Sequence, residues 1–98
     1  MELLDHLLVC LIEECSEIIK DTSKALRFGL QDFNQKDLEQ KTSLSRIRTE
    51  LNDLYGVIEL LNEHNLELDL DRELINNKKD KVRKYMEYAK ERGRIQCQ

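Results

Sequence analysis

The chain has 98 residues, 40% of them hydrophobic and 37% charged, with no proline, no tryptophan and three glycines. That length allows one domain of roughly 50–250 residues and excludes a barrel enzyme or a dinucleotide-binding fold with a separate substrate domain. So few turn-formers among so many Leu, Ile, Glu, Lys and Arg predict an all-α fold. A chain this short buries only about 60–65% of its unfolded surface, so a larger core has to come from self-association.

The net charge of −4 conceals an asymmetry. Residues 1–77 carry 17 acids against eight Lys and Arg, whereas residues 78–98 carry three against eight. The first part suits cations and the second suits anions, which together suggest a metal-bound phosphate ligand. The basic block is short and interrupted by Asp80, Glu87 and Glu91, so a nucleic acid polymer is not expected. The longest uncharged apolar run, Leu7 to Ile12, is far short of the ~20 residues of a membrane span. Glu13 and Glu14 follow it at once, unlike a secretory leader. Cys10, Cys15 and Cys97 are therefore expected to be reduced thiols in a cytoplasmic protein, with Cys10 and Cys15 packing as small hydrophobes. No CxxC motif or His/Cys cluster points to zinc.

Three helices are expected in chain order. The first runs from about Glu2 to Arg27 and ends at Phe28-Gly29-Leu30, glycine being the usual residue past a helix end. Gln31 to Thr42 is polar and reads as a loop with one turn around Asp37–Gln40. Thr42 or Ser43 caps the second helix, which reaches about Asn62 to Asn65. Asp69 or Asp71 caps the third, which continues to about Arg92 before Gly93. No stretch has the period of two that a strand needs.

At 100° per residue, Leu4, Leu7, Leu8, Leu11, Cys15 and Ile18 make one apolar stripe on the first helix. Glu14 falls about 60° from its centre, Glu17 about 60° further round, and Asp21 on the same flank one turn on, while Glu13 points to the opposite side. On the second helix the stripe is Leu44, Ile47, Leu51, Leu54, Ile58 and Leu61. Glu50 lies about 70° and Asp53 about 130° off its centre, on the same rotational side. In an antiparallel hairpin, equal offsets of one hand bring Glu14/Glu17 and Glu50/Asp53 to the same margin of the core. Four such carboxylates repel one another and lose hydration unless something neutralises them. Mg²⁺ or Mn²⁺ suits an all-carboxylate set that leaves room for water and phosphate oxygens; the competing expectation pairs these acids with Lys or Arg. On the third helix, Lys78 lies near the centre of the stripe Leu74, Ile75, Val82, Tyr85, Met86 and Ala89, where an ammonium must snorkel outward or meet an anion. Lys81 and Lys84 step away from it at three-residue intervals. His6 and His64 pair with no nucleophile. Phe33 and Tyr55 suit a core, an interface or a stacking role.

The first-helix string from Leu11-Ile-Glu-Glu-Cys-Ser-Glu-Ile-Ile-Lys20 to Ser23-Lys-Ala-Leu-Arg-Phe-Gly29 resembles the opening of small MazG-like proteins. These belong to the all-α nucleoside triphosphate pyrophosphohydrolases. Glu14–Glu17 and Glu50–Asp53 match the family's ExxE and ExxD in order and approximate separation, and Lys78, Lys81 and Lys84-Tyr85 are similar to its downstream basic helix. The resemblance covers most of residues 7–88. It implies a single MazG-like helical domain over 1–98 that cleaves a (deoxy)nucleoside triphosphate between its α- and β-phosphates, with house-cleaning of noncanonical nucleotides as one role. It further implies Mg²⁺ on Glu14, Glu17, Glu50 and Asp53, with Glu14 or Glu17 activating water, and Lys78, Lys81, Lys84 and Tyr85 on the substrate. A homodimer or homotetramer would complete a four-helix-type bundle. The family's phosphate-side asparagine is replaced by Lys81, and no tryptophan is present to stack on a base. The rival expectations are a non-catalytic oligomerisation or adaptor module, and a nucleotide-binding member without activity.

Overall fold

The computed structural model describes residues 2–96. Cys97 lies outside the described residues. Three helices and no strand are present among them: α1 (Leu3–Phe28), α2 (Ser43–Asn62) and α3 (Arg72–Glu91). None is long and apolar enough to cross a membrane. The chain divides into two compact units, 1–68 and 69–98.

In the first unit α1 and α2 pack as a hairpin. Among the residues that α1 buries or half-buries, Leu7, Leu11, Glu14, Ile18, Asp21 and Ala25 recur in steps of four and three, with half-buried Cys10 and Glu17 on the flank beside them. On α2 the equivalent series is Ser43, Ile47, Glu50, Leu54, Val57 and Leu61. Alternation of four and three is the 3.5-residue period that keeps two helices facing each other along their length. The two series run in opposite directions from the loop, so three of the twelve positions that face inward carry a carboxylate. Leu61 is fully buried, and Leu7 and Ala25 are nearly so.

The buried line differs from the expected one by a rotation of about one residue towards the acids. Leu8, Leu44 and Leu51, all expected in the core, are 39–46% exposed, and Cys15 is exposed rather than packed. The physical reason is width. The apolar stripe on each helix is broader than one helix–helix contact covers, and the hairpin closes over its acidic edge. The remainder of the stripe stays open.

The α1–α2 loop is held by its own backbone. Gly29 adopts φ 100° and ψ 151°, a region open only to glycine, and its N–H still donates to the Ala25 carbonyl. Phe33 and Thr42 form an isolated antiparallel bridge. The Ser43 and Leu44 N–H groups donate to the Asp32 and Leu30 carbonyls. Asp37 anchors the loop tip: its carboxylate accepts from the Glu39 and Lys41 N–H groups and from the Arg46 guanidinium at 2.9 Å. These bonds, the Glu39 N–H foremost, hold the Asp37 carboxyl below its ordinary value against the opposing effect of burial. The expected turn at Asp37–Gln40 is present, closed by the Gln40 N–H on the Asp37 carbonyl. The Thr42 hydroxyl caps α2 by accepting from the Ser45 N–H.

In the second unit the Asp71 carboxylate caps α3 through the Leu74 N–H, and Gly93 at φ 70° ends it. This helix buries no residue within the described chain. Leu74 and Tyr85 are about 70% exposed and Ile75 is half-buried.

An alanine at 29 meets no atom within 4 Å, so its whole cost is backbone strain. Gly29→Ala is expected to lower unfolding free energy by roughly 1–3 kcal/mol, read by urea titration of the far-ultraviolet circular dichroism; an unchanged midpoint would mean that the chain leaves α1 by another route.

Candidate metal centre

The inward-facing line of α1 carries Glu14 and Asp21, with Glu17 beside them on the same flank three residues after Glu14. From α2, Glu50 faces inward and Asp53 follows one turn later, more exposed. Because the helices run in opposite directions, advancing along α1 towards the loop matches retreating along α2. Carboxylate oxygens of Glu14, Glu50 and Asp53 come within 4.8 Å of one another, and so do those of Glu17, Asp21 and Glu50. Glu50 belongs to both groups and is the hub of the cluster.

The electrostatics follow from that placement. Glu50 is pushed above its ordinary carboxyl value of 4.5. Loss of hydration is the largest cause, followed by a hydrogen bond with the Asp21 carboxyl and repulsion from Asp21, Glu17 and Asp53. Asp21 is only 4% exposed. Of the five acids, Glu17 alone has a cationic partner among the described residues, an exposed contact with Lys20 at 3.5 Å within the same helix. The expectation that Lys or Arg side chains would neutralise the set is therefore not met in this unit.

The donor set fits a hard divalent cation. All five donors are carboxylates, with no thiol or imidazole among them, and oxygen-only sets suit Mg²⁺ or Mn²⁺ rather than zinc. Glu14, Glu17, Glu50 and Asp53, singled out by sequence, are all brought together. Asp21 was placed on the correct flank by spacing but not among the ligands; its position four residues after Glu17 was the available signal. The basic set lies on the other unit. Lys78, Lys81, Lys84 and Tyr85 are exposed on α3, and Lys78 and Lys81 line one shallow hollow with Asn77 and Asp80. Among the described residues none of these three lysines has an ion-pair partner, whereas Arg83 pairs with Asp80 and Lys90 with Glu87. His6 lies 3.8 Å from the Cys10 sulfur, apart from the cluster. Comparison with protein-family models, curated proteins and solved structures finds no match.

A carboxyl whose pKa is raised on folding binds its proton more tightly in the folded state, so stability falls as pH rises from the unfolded value through the folded one. In metal-free buffer Glu50→Gln is expected to melt above the wild type at pH 7, and the gap is expected to close below pH 4.5, where the wild-type carboxyl is protonated in both states. A variant that melts lower than wild type at neutral pH would show that the Glu50 charge is already compensated.

Proposed function

We propose that the chain is a Mg²⁺-dependent nucleoside triphosphate pyrophosphohydrolase, cleaving a (deoxy)nucleoside triphosphate at its α–β bond to a monophosphate and pyrophosphate. The observation that carries this reading is the set of three carboxylates on the inward-facing line of the hairpin, Glu14, Asp21 and Glu50, none of them with a cationic partner among the described residues. A helix pair built only for packing would place Leu or Ala at those positions, since buried like charges are costly. The likeness of the first-helix string, ExxE and ExxD to the MazG-like pyrophosphohydrolases supplies the reaction class.

In this reading Glu14, Glu17, Glu50 and Asp53, with Asp21 behind them, hold Mg²⁺ or Mn²⁺. When bound, the ion supplies charge neutralisation for the triphosphate and for the developing negative charge at the α-phosphorus and leaving group. The chain's own contribution is to fix the carboxylates on two helices, where a bound cation would favour their ionised forms. Glu14 or Glu17 orients the attacking water and takes its proton. The resemblance alone assigns Lys78, Lys81, Lys84 and Tyr85 of α3 to the substrate.

The same reading includes self-association. On α1 a second line, Leu8, Ile12, Cys15, Ile19 and Leu26, keeps a heptad spacing and is exposed; Ile12, Ile19 and Leu26 are 64, 69 and 88% exposed. A period of 3.5 on an open helix face is the pattern of a seam with another helix. Exposed Leu51 and Tyr55 on α2 widen this apolar surface. A second copy would cover it and complete a four-helix-type bundle, as a homodimer or a homotetramer of such pairs.

Two outcomes test the proposal. Incubated with a panel of canonical and damaged nucleotides and Mg²⁺, the protein is expected to release pyrophosphate, and Glu50→Gln to abolish release while keeping its helicity. Mg²⁺ alone should stabilise the wild type by about 2.7 kcal/mol at a hundred times its Kd. Wild-type turnover by Glu50→Gln would remove Glu50 from the site, and a melt insensitive to Mg²⁺ and Mn²⁺ would favour the adaptor reading. Separately, Ile19→Glu is expected to shift sedimentation equilibrium from an oligomer to the 11.7 kDa monomer; a monomeric wild type would contradict the bundle.

A further inference from the structure

Towards the loop from the acid cluster, the hairpin opens into a cavity of about 360 Å³. It is lined by Lys24 and Phe28 from the end of α1, Asp32, Phe33 and Asn34 from the loop, and Lys41, Ser43 and Arg46 at the entry to α2. The chain contains only two phenylalanines, and both line this one cavity. Neither is used in the core: Phe28 is 60% and Phe33 39% exposed. The bridge to Thr42 fixes the backbone of Phe33, so its ring is presented from a closed loop.

Two of the three cations on the wall are compensated within the loop, whereas the Asp32 carboxylate and the Lys24 ammonium have no ion-pair partner among the described residues. Arg46 is held by Asp37 at 2.9 Å and Lys41 by Glu39 at 2.8 Å. Lys24 is the one cation of the three without a carboxylate partner among the described residues. The Asn34 carbonyl oxygen accepts from the Lys36 N–H, which leaves its amide N–H₂ to donate. The Arg27 guanidinium lies 5.0 Å from the centroid of the Phe28 ring. Two rings, an amide donor, the Asp32 carboxylate as acceptor and one unpaired ammonium form a surface for a flat aromatic ligand with hydrogen-bonding edges and a neighbouring negative charge.

Position relative to the acids decides which ligand that is. Lys24 follows Asp21 by one turn on α1, and Arg46 precedes Glu50 by one turn on α2. Phe28 lies one further turn on, about 10 Å along the axis from Asp21 at 1.5 Å per residue. Passing towards the loop, the hairpin thus presents carboxylates, then cations, then aromatic rings. That order matches a nucleotide whose phosphates lie at a carboxylate-held metal and whose base lies beyond them. We infer that the Phe28/Phe33 cavity receives the nucleobase, with Lys24 beside the α-phosphate, so that the pyrophosphate departs away from the loop. This rests on the proposed nucleotide reading of the acid cluster and adds where the base is read.

The test compares a non-hydrolysable α,β-methylene nucleoside triphosphate with inorganic tripolyphosphate, which carries the same phosphates and no base, both with Mg²⁺. Wild type is expected to bind the nucleotide about tenfold or more tightly than tripolyphosphate, the scale of a base stacked on aromatic side chains. The double variant Phe28→Ala/Phe33→Ala is expected to lose that advantage and keep its affinity for tripolyphosphate. Because both rings are exposed, its helicity should not change. With phenylalanine alone ¹³C-labelled, both ring signals should shift on adding nucleotide and stay in place with tripolyphosphate. Ring signals that respond equally to tripolyphosphate would make the cavity a phosphate site and overturn the inference. Undiminished nucleotide affinity in the double variant would also overturn it, while pyrophosphate release by that variant would leave the enzymatic reading standing. Phenylalanine-dependent nucleotide binding without pyrophosphate release would keep the inference and remove the catalytic reading.

Discussion

Mutual repulsion among carboxylates placed between two helices is the constraint on which the rest of this structure turns. Glu14, Asp21 and Glu50 occupy positions that the four-and-three spacing turns inward, positions that Leu and Ala fill elsewhere on the same lines. Each lost some hydration on folding, and none gained a cation within its unit. Glu50 shows the consequence, its carboxyl raised by desolvation and by the acids around it. A hairpin carrying that cost would be stabilised by a counter-charge at these positions. A cation bound here, as proposed, would couple to folding at this point of the molecule.

The loop end makes the opposite choice. Its charges are compensated locally: Asp37 draws in two N–H groups and Arg46, and Lys41 pairs with Glu39. The loop owes its shape to these bonds, to Gly29 and to the Phe33–Thr42 bridge rather than to a buried core. It is thus a preformed rim beside an electrostatically strained floor. Binding surfaces gain from this division, because a rim that is already ordered loses little entropy when a ligand arrives.

Much of this was legible in the sequence because it depends on period and on chain-breaking residues. Glycine at 29 and 93, threonine at 42 and aspartate at 71 set helix ends to within a residue or two. The shared flank of Glu14, Glu17, Glu50 and Asp53 follows from 100° per residue alone. What spacing could not give is which part of a broad apolar stripe faces the partner helix. Leu8, Cys15, Leu44 and Leu51 lie on the open side of that stripe, and only the packed pair shows it. The rotation is also what carried Asp21 into the buried line. The cavity at the loop neck was invisible for a different reason: it is built from residues 24 to 46 by a backbone path that no periodicity encodes. The α3 lysines were found by pattern, and they remain on a helix that buries none of its residues within the described chain.

The central proposal is that the two acid groups sharing Glu50 bind a divalent cation. The most direct measurement is a ¹³C carboxyl titration of the protein's side chains with Mg²⁺ by nuclear magnetic resonance. The account predicts that Glu14, Glu17, Asp21, Glu50 and Asp53 shift together along one saturable curve, while the other 15 of the 20 Asp and Glu residues stay near their starting positions. Small, unsaturated shifts spread evenly over all 20 would contradict it.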